Sequence, residues 1–125
     1  MSERDFDLLA ASLRADTGDV RSFVEALAVK LEGAFPSRTR VERKGGLFGG
    51  GRRIRRIEVE LGDTRFELVH RDGAVDCARR SVVRGISLKS ERLELDAWID
   101  ELSAALLGEA KATERGREAL ERLLR

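Results

Sequence analysis

Several features that mark common protein classes are scarce in this sequence. Cys77 is the only cysteine and His70 the only histidine, which excludes an intramolecular disulfide and leaves too few ligands for a zinc site. The longest apolar runs are only a few residues, whereas a transmembrane helix needs about 20. The acidic first residues lack the basic and apolar regions of a secretory signal. We therefore expect a cytoplasmic protein with no metal, no cofactor and no integral membrane segment.

The chain also lacks an excess of charge of one sign. Its 24 basic and 23 acidic side chains leave a formal net charge of +1, so net charge identifies no partner. Apolar content is sufficient for folding, because Leu, Ile, Val and Phe supply 35 of the 125 residues. Length and composition together predict a single domain over residues 1–125.

Two helices are predicted before the only proline, Pro36. Apolar residues at helical spacing predict a short helix over residues 5–15 and a second helix that ends near Pro36. Thr17 or Asp19 can cap the second helix. Its apolar stripe is formed by Val20, Phe23, Val24, Leu27, Ala28 and Leu31. Such a stripe is typical of a helix face that packs on a hydrophobic core.

After Pro36 the apolar period changes from about 3.6 residues to 2, which predicts strands. A glycine-rich loop and two tight turns, Gly62-Asp63 and Asp72-Gly73, connect the alternating segments. Beyond Cys77 the alternation changes phase, which predicts a bulge or corner at residues 79–81. The expected sheet is an antiparallel meander of about four strands, which include residues 38–44, 54–61, 66–70 and 75–77.

Cross-strand charge predicts the register of the first hairpin, since opposite charges placed directly across a strand pair are favourable. The preferred register pairs Arg38 with Glu60, Arg40 with Glu58, and Glu42 with Arg56. It also places Arg43 opposite Arg55 on the face that should be covered. Because unpaired arginines are expensive to bury, we expect the outer end of this hairpin to project as an arm over about residues 43–55.

This arm is the strongest candidate for a binding site. Residues 38–56 carry eight basic side chains and one acid. The candidate partner-binding residues are Arg43, Lys44, Leu47, Phe48, Arg52, Arg53 and Arg55. An acidic protein, nucleic-acid phosphates with Phe48 as a wedge, and an anionic membrane surface all suit this composition. A passive, solvated loop suits it as well. The glycines join two strands rather than a strand and a helix, so a nucleotide-binding loop is not indicated.

The C-terminal quarter of the chain is predicted to be helical, with Asp96 as the N-cap. Apolar residues continue at heptad-like spacing to the end of the chain, but Gly108 and Gly116 interrupt good helix formers. One straight helix would overhang the domain and offer an apolar face to a second copy. The candidate oligomerisation residues are Leu120, Leu123 and Leu124. A helical hairpin would instead fold the same face back onto the N-terminal helices.

No catalytic residue is predicted. In the expected meander His70 and Cys77 are diagonal neighbours, about 7 to 8 Å apart at Cα, which is too far for ready proton transfer. The sequence therefore predicts an α+β fold with helices on one face of an antiparallel sheet. The leading hypothesis is a non-enzymatic, self-associating interaction or adaptor domain that contacts an acidic protein through the basic arm. The alternative is a nucleic-acid-binding protein that uses the same arm.

Overall fold

The predicted α+β architecture is confirmed by the computed structural model, which describes residues 8, 10–12, 19–45 and 53–124. Residues 8 and 10–12 are helical and belong to the predicted first helix. The other elements, in chain order, are α1 (Val20–Ala34), β1 (Thr39–Lys44), β2 (Arg53–Leu61), β3 (Thr64–Arg71), β4 (Ala74–Val83), β5 (Ile86–Leu93), α2 (Leu95–Ala112) and α3 (Glu114–Leu124).

The sheet is an antiparallel meander in the order β1-β2-β3-β4-β5. It has one more strand than the expected four, because the turn that separates β4 from β5 lies inside an alternating run. Arg84 and Gly85 form this turn, both with positive φ (53° and 80°). Two consecutive residues with positive φ are typical of the tightest hairpins, but arginine gives little sign of such a turn. At the predicted change of phase, the β4–β5 register shifts between Ser81 and Val82, and Leu88 of β5 is the extra residue of this bulge.

The predicted register of the first hairpin is confirmed up to Glu42. Arg40 lies opposite Glu58 and Glu42 opposite Arg56. A bulge then follows, and Arg43 lies opposite Ile54. The predicted pairing of Arg43 with Arg55 is therefore wrong. The bulge turns Ile54 into the core, where it is 7% exposed, and leaves Arg55 in solvent. At the base of the predicted arm, Ile54 thus packs into the core, while residues 46–52 of the arm lie outside the described residues.

One face of the sheet and all three helices share a single core. The sheet contributes Ile57, Val59, Leu61, Phe66, Leu68 and Cys77, which are all buried. Trp98 of α2 meets the Phe66 ring edge to face at a centroid distance of 6.2 Å. Its indole N–H donates to the carbonyl of Ala78 at 3.1 Å, which satisfies the one polar atom of the buried ring. The opposite face of the sheet carries no helix in the described part of the chain.

The C-terminal segment is a helical hairpin. Helix α2 has Glu94 as its N-cap residue, whereas the predicted cap was Asp96, two residues later. The helix continues through Gly108 to Ala112. The chain then turns at Thr113, whose Oγ1 accepts a hydrogen bond from the N–H of Gly116 at 2.9 Å and caps α3. A Cβ at Gly116 would lie 2.0 Å from the carbonyl oxygen of Glu109, so only glycine fits this close approach.

This hairpin buries two of the three leucines that were predicted to hold a second copy. Leu120 and Leu123 are each 2% exposed and belong to the core of the same chain. Leu124 is 41% exposed. The apolar face of α3 is therefore occupied mainly by α1 and α2, and Leu120 and Leu123 are not available to a partner in this conformation.

Candidate anion-binding cleft

Three strand ends enclose a cleft of about 580 Å³ at one end of the sheet. Strand β1 ends there, β2 begins there, and the β3–β4 turn closes the third side. The residues that line it are Lys44, Gly45, Arg53, Ile54, Arg55, His70, Arg71, Asp72 and Gly73. We call this the cationic cleft, because four of its nine lining residues are Lys or Arg.

The register of the sheet concentrates these cations. Lys44 lies directly opposite Arg53 in the β1–β2 ladder, a like-charge pair that destabilises a sheet by about 0.2 to 1 kcal/mol. The bulge places Arg55 on the exposed side of β2, next to this pair. The two-residue turn at Asp72 and Gly73 brings Arg71 to the same end. Folding alone gives no reason to collect four like charges here.

The four cations have no partner of opposite charge among the residues that the structure describes. Lys44, Arg53, Arg55 and Arg71 are all exposed and form no ion pair in that part of the chain. Asp72 supplies the one carboxylate among the lining residues. The cleft therefore has an excess of positive charge that only a group from outside the described fold can neutralise.

Arg43 was predicted to bind a partner but points elsewhere. Its Nη2 donates to Glu32 Oε1 of α1 at 2.6 Å, and this hydrogen bond raises the pKa of Arg43. Arg43 does not line the cleft. Its charge is used to hold β1 against α1. The prediction missed this contact because the sequence does not show that the bulge turns Arg43 towards the helix.

Of the other predicted site residues, Lys44, Arg53 and Arg55 line the cleft together. Leu47, Phe48 and Arg52 lie outside the described residues. Sequence reasoning missed Arg71, which adjoins the predicted turn at Asp72 and Gly73. The signal was present, because in a meander this turn and the base of the first hairpin lie at the same end of the sheet.

His70 contributes a different kind of group to the cleft. It lies opposite Val75, as predicted, and its side chain is partly buried. Its Nε2 is buried and has no hydrogen-bond partner in the described part of the chain. A buried imidazole nitrogen without a partner is unfavourable, so a ligand that hydrogen-bonds to it would relieve this cost.

Cys77 is not a nucleophile in this fold. It lies opposite Leu68 and is 4% exposed in the core. Burial raises the pKa of its thiol to about 12, with smaller contributions from Asp76 and Glu94. The thiol is protonated at neutral pH, whereas the thiolate is the reactive form. The arrangement of His70 and Cys77 gives no support to a catalytic dyad.

The uncovered face of the sheet, here called the open face, is also rich in charge, but its central arginines, Arg56 and Arg80, are paired with carboxylates. Glu67 is only 7% exposed although it lies on this face. Its Oε1 is 2.9 Å from Arg56 Nη2, and its Oε2 is 3.4 Å from Arg80 Nη2. Arg56 also contacts Glu58. Burial lowers the pKa of Arg56, but the carboxylates of Glu58 and Glu67 outweigh this effect and the net shift is upward.

No family model, curated protein or solved structure matches this chain. Within the described ranges, none of the helices is long and apolar enough to cross a bilayer. The same ranges contain no group of three or more His, Cys, Asp or Glu side chains that could hold a metal ion.

Proposed function

We propose that this protein is a non-enzymatic interaction domain that binds an acidic segment of a partner protein in the cationic cleft. One observation carries the proposal: Lys44, Arg53, Arg55 and Arg71 converge on a cleft in which Asp72 is the only carboxylate among the described lining residues. The proposal retains the partner class predicted from the sequence, keeps Lys44, Arg53 and Arg55 of the predicted site, and adds Arg71.

The chemistry of the cleft suits carboxylates. A guanidinium group presents parallel N–H donors that match the two oxygens of a carboxylate, and charge-assisted hydrogen bonds of this kind are roughly twice as strong as neutral ones. An acidic segment would also remove the repulsion between Lys44 and Arg53, which the free protein bears. Its oxygens could accept a hydrogen bond from His70 when the proton of that ring is on Nε2.

Fluorescence anisotropy with two labelled probes, a short glutamate-rich peptide and a short single-stranded DNA, tests the proposal. The wild type is compared with Arg53→Glu/Arg55→Glu, which reverses two cleft charges. The control is Lys111→Glu/Arg115→Glu, which changes the net charge equally at exposed, unpaired positions away from the cleft. Comparison at equal net charge separates the cleft from a general electrostatic effect.

We expect the peptide to bind the wild type and the control, and to bind the cleft variant at least about tenfold more weakly. Equal loss in both variants, or no peptide binding, contradicts the proposal. Preferred binding of DNA with an affinity that falls steeply between about 50 and 200 mM salt would favour the nucleic-acid alternative, because counterion release scales with the number of phosphates contacted.

A further inference from the structure

Strand β5 is an exposed edge strand with one bulge, at Leu88. Seven of its eight residues are exposed, and only Leu93 is partly buried. No backbone hydrogen bond joins its outer edge to another element in the described part of the chain. Such an edge is a template for pairing with another strand.

The other edge strand, β1, is protected. It is short, its pairing with β2 shifts after Glu42 where Arg55 of β2 is the extra residue, and it packs against α1. Thr39 Oγ1 donates to the carbonyl of Leu31 at 3.1 Å, and Arg43 forms an ion pair with Glu32. Bulges, charges and a covering helix are common means of blocking an edge. Strand β5 also carries a bulge, at Leu88, but residues 89–93 beyond it pair regularly with β4.

Strand β5 also carries exposed apolar side chains near the β4–β5 turn. Val83, Ile86 and Leu88 are 46%, 63% and 65% exposed. Ile86 lies opposite Val83 in the ladder, and Leu88 is the extra residue of a bulge, because Ser87 pairs with Val82 and Lys89 pairs with Ser81. Exposed apolar side chains on an edge strand, here called the apolar group, favour association with another polypeptide.

We propose that β5 pairs in antiparallel orientation with β5 of a second copy, so that the two sheets become one continuous sheet. The charge order of the strand supports this occupant. With the two-fold axis at Ser90, Lys89 of each copy lies opposite Glu91 of the other, which gives two complementary pairs. An axis at Lys89 or at Glu91 would place like charges together, and an axis at Leu88 would form no charge pair.

The side chains are prepared for this pairing. Lys89 is exposed and has no ion-pair partner in the described part of the chain. Glu91 contacts Arg79 through Oε2, which leaves Oε1 without a partner among the described residues. Each glutamate can therefore keep its contact with Arg79 and accept the lysine of the second copy.

This dimer goes beyond the proposed function and does not depend on it. Strand β5 is at the opposite edge from β1, and the apolar group lies at the opposite end of the strands from the cationic cleft. Pairing through β5 leaves both clefts open. It also replaces the C-terminal leucines, Leu120 and Leu123, as the predicted basis of self-association.

Sedimentation velocity from low micromolar to submillimolar concentration tests the dimer by charge exchange. Lys89→Glu places like charges across the interface, and we expect the dimer dissociation constant to rise about tenfold or more. Glu91→Lys should do the same. An equimolar mixture of these two variants should form a heterodimer, because each variant supplies the charge that the other has lost.

The controls address folding and net charge. Lys111→Glu makes the same charge change outside β5 and should leave the dimer unchanged. Glu91→Lys also loses the contact with Arg79, so its thermal unfolding must be compared with the wild type. If Glu91→Lys does not fold, the effect of Lys89→Glu on the dimer tests the proposal by itself, because Lys89 forms no ion pair among the described residues. A wild type that remains a monomer, or a dimer that Lys89→Glu does not weaken, overturns the proposal and leaves the edge to a strand from another protein.

Discussion

The open face of the sheet and the cationic cleft are both rich in arginine, but only the open face supplies the carboxylates that pair with it. Arg56 and Arg80 contact Glu67, which is nearly buried between them. Arg53 and Arg55, only a few residues from Arg56 in sequence, have no such partner in the described part of the chain. Neighbouring arginines in one strand therefore differ in role, and the strand register makes the difference.

The comparison separates charges that stabilise the fold from charges that the fold merely tolerates. A partly buried ion pair loses stability when one member is removed, because the other member keeps its desolvation cost. An exposed like-charge pair has the opposite property, and its removal is neutral or favourable. Substitutions in the two regions should therefore change the free energy of unfolding in opposite directions.

The largest effect is expected at Glu67. Glu67→Ala leaves Arg80 without its described anionic partner and Arg56 with Glu58 alone, and should lower the free energy of unfolding by about 2 to 3 kcal/mol. Urea denaturation measures this loss, and Glu67→Gln separates loss of charge from loss of volume. Glu60→Ala is the matched control, because Glu60 is 3.9 Å from Arg65 and this more exposed contact should contribute less than about 1 kcal/mol. Equal losses for Glu67→Ala and Glu60→Ala would show that the network does not act as a unit.

The cleft should respond with the opposite sign. Arg53→Glu converts the like-charge pair with Lys44 into an opposite-charge pair, so the free energy of unfolding should rise by about 0.2 to 1 kcal/mol. The same variant should bind the acidic peptide more weakly. A gain in stability with a loss of binding is the result expected of a functional charge cluster. Destabilisation by more than about 1 kcal/mol would instead make Arg53 a structural residue.

Much of the fold could be predicted because its determinants are local. Residues close together in sequence are sufficient to predict the apolar stripe of α1, the alternation of the strands and the glycine-containing turns. Cross-strand charge was sufficient to give the first hairpin its register as far as Glu42. The turn at Arg84 and Gly85 was missed because an arginine with positive φ has no clear local signal.

The candidate site was predictable only in part, because it depends on a bulge. A bulge inserts one residue into one strand and reverses which side chains face inward beyond it. The bulge turns Ile54 into the core and Arg43 towards α1. The register predicted from the sequence had instead placed Arg43 and Arg55 opposite each other at this point of the sheet. The sequence shows that the hairpin is basic. Which arginine supports the fold and which cations line the cleft can be predicted only when the position of the extra residue is known.

Arg43 gives the smallest expected effect and the sharpest test of this division. Its ion pair with Glu32 is more than one-third exposed on both side chains, so Arg43→Ala should lower the free energy of unfolding by only about 0.5 kcal/mol. Glu32→Ala should have a similar effect, and the double variant should lose less than the sum of the two. Peptide binding by Arg43→Ala should equal that of the wild type, because Arg43 does not line the cleft. If Arg43→Ala instead weakens peptide binding as much as Arg53→Ala and shows no coupling to Glu32, then Arg43 acts with the cleft, as the sequence alone suggested, and its contact with α1 is incidental.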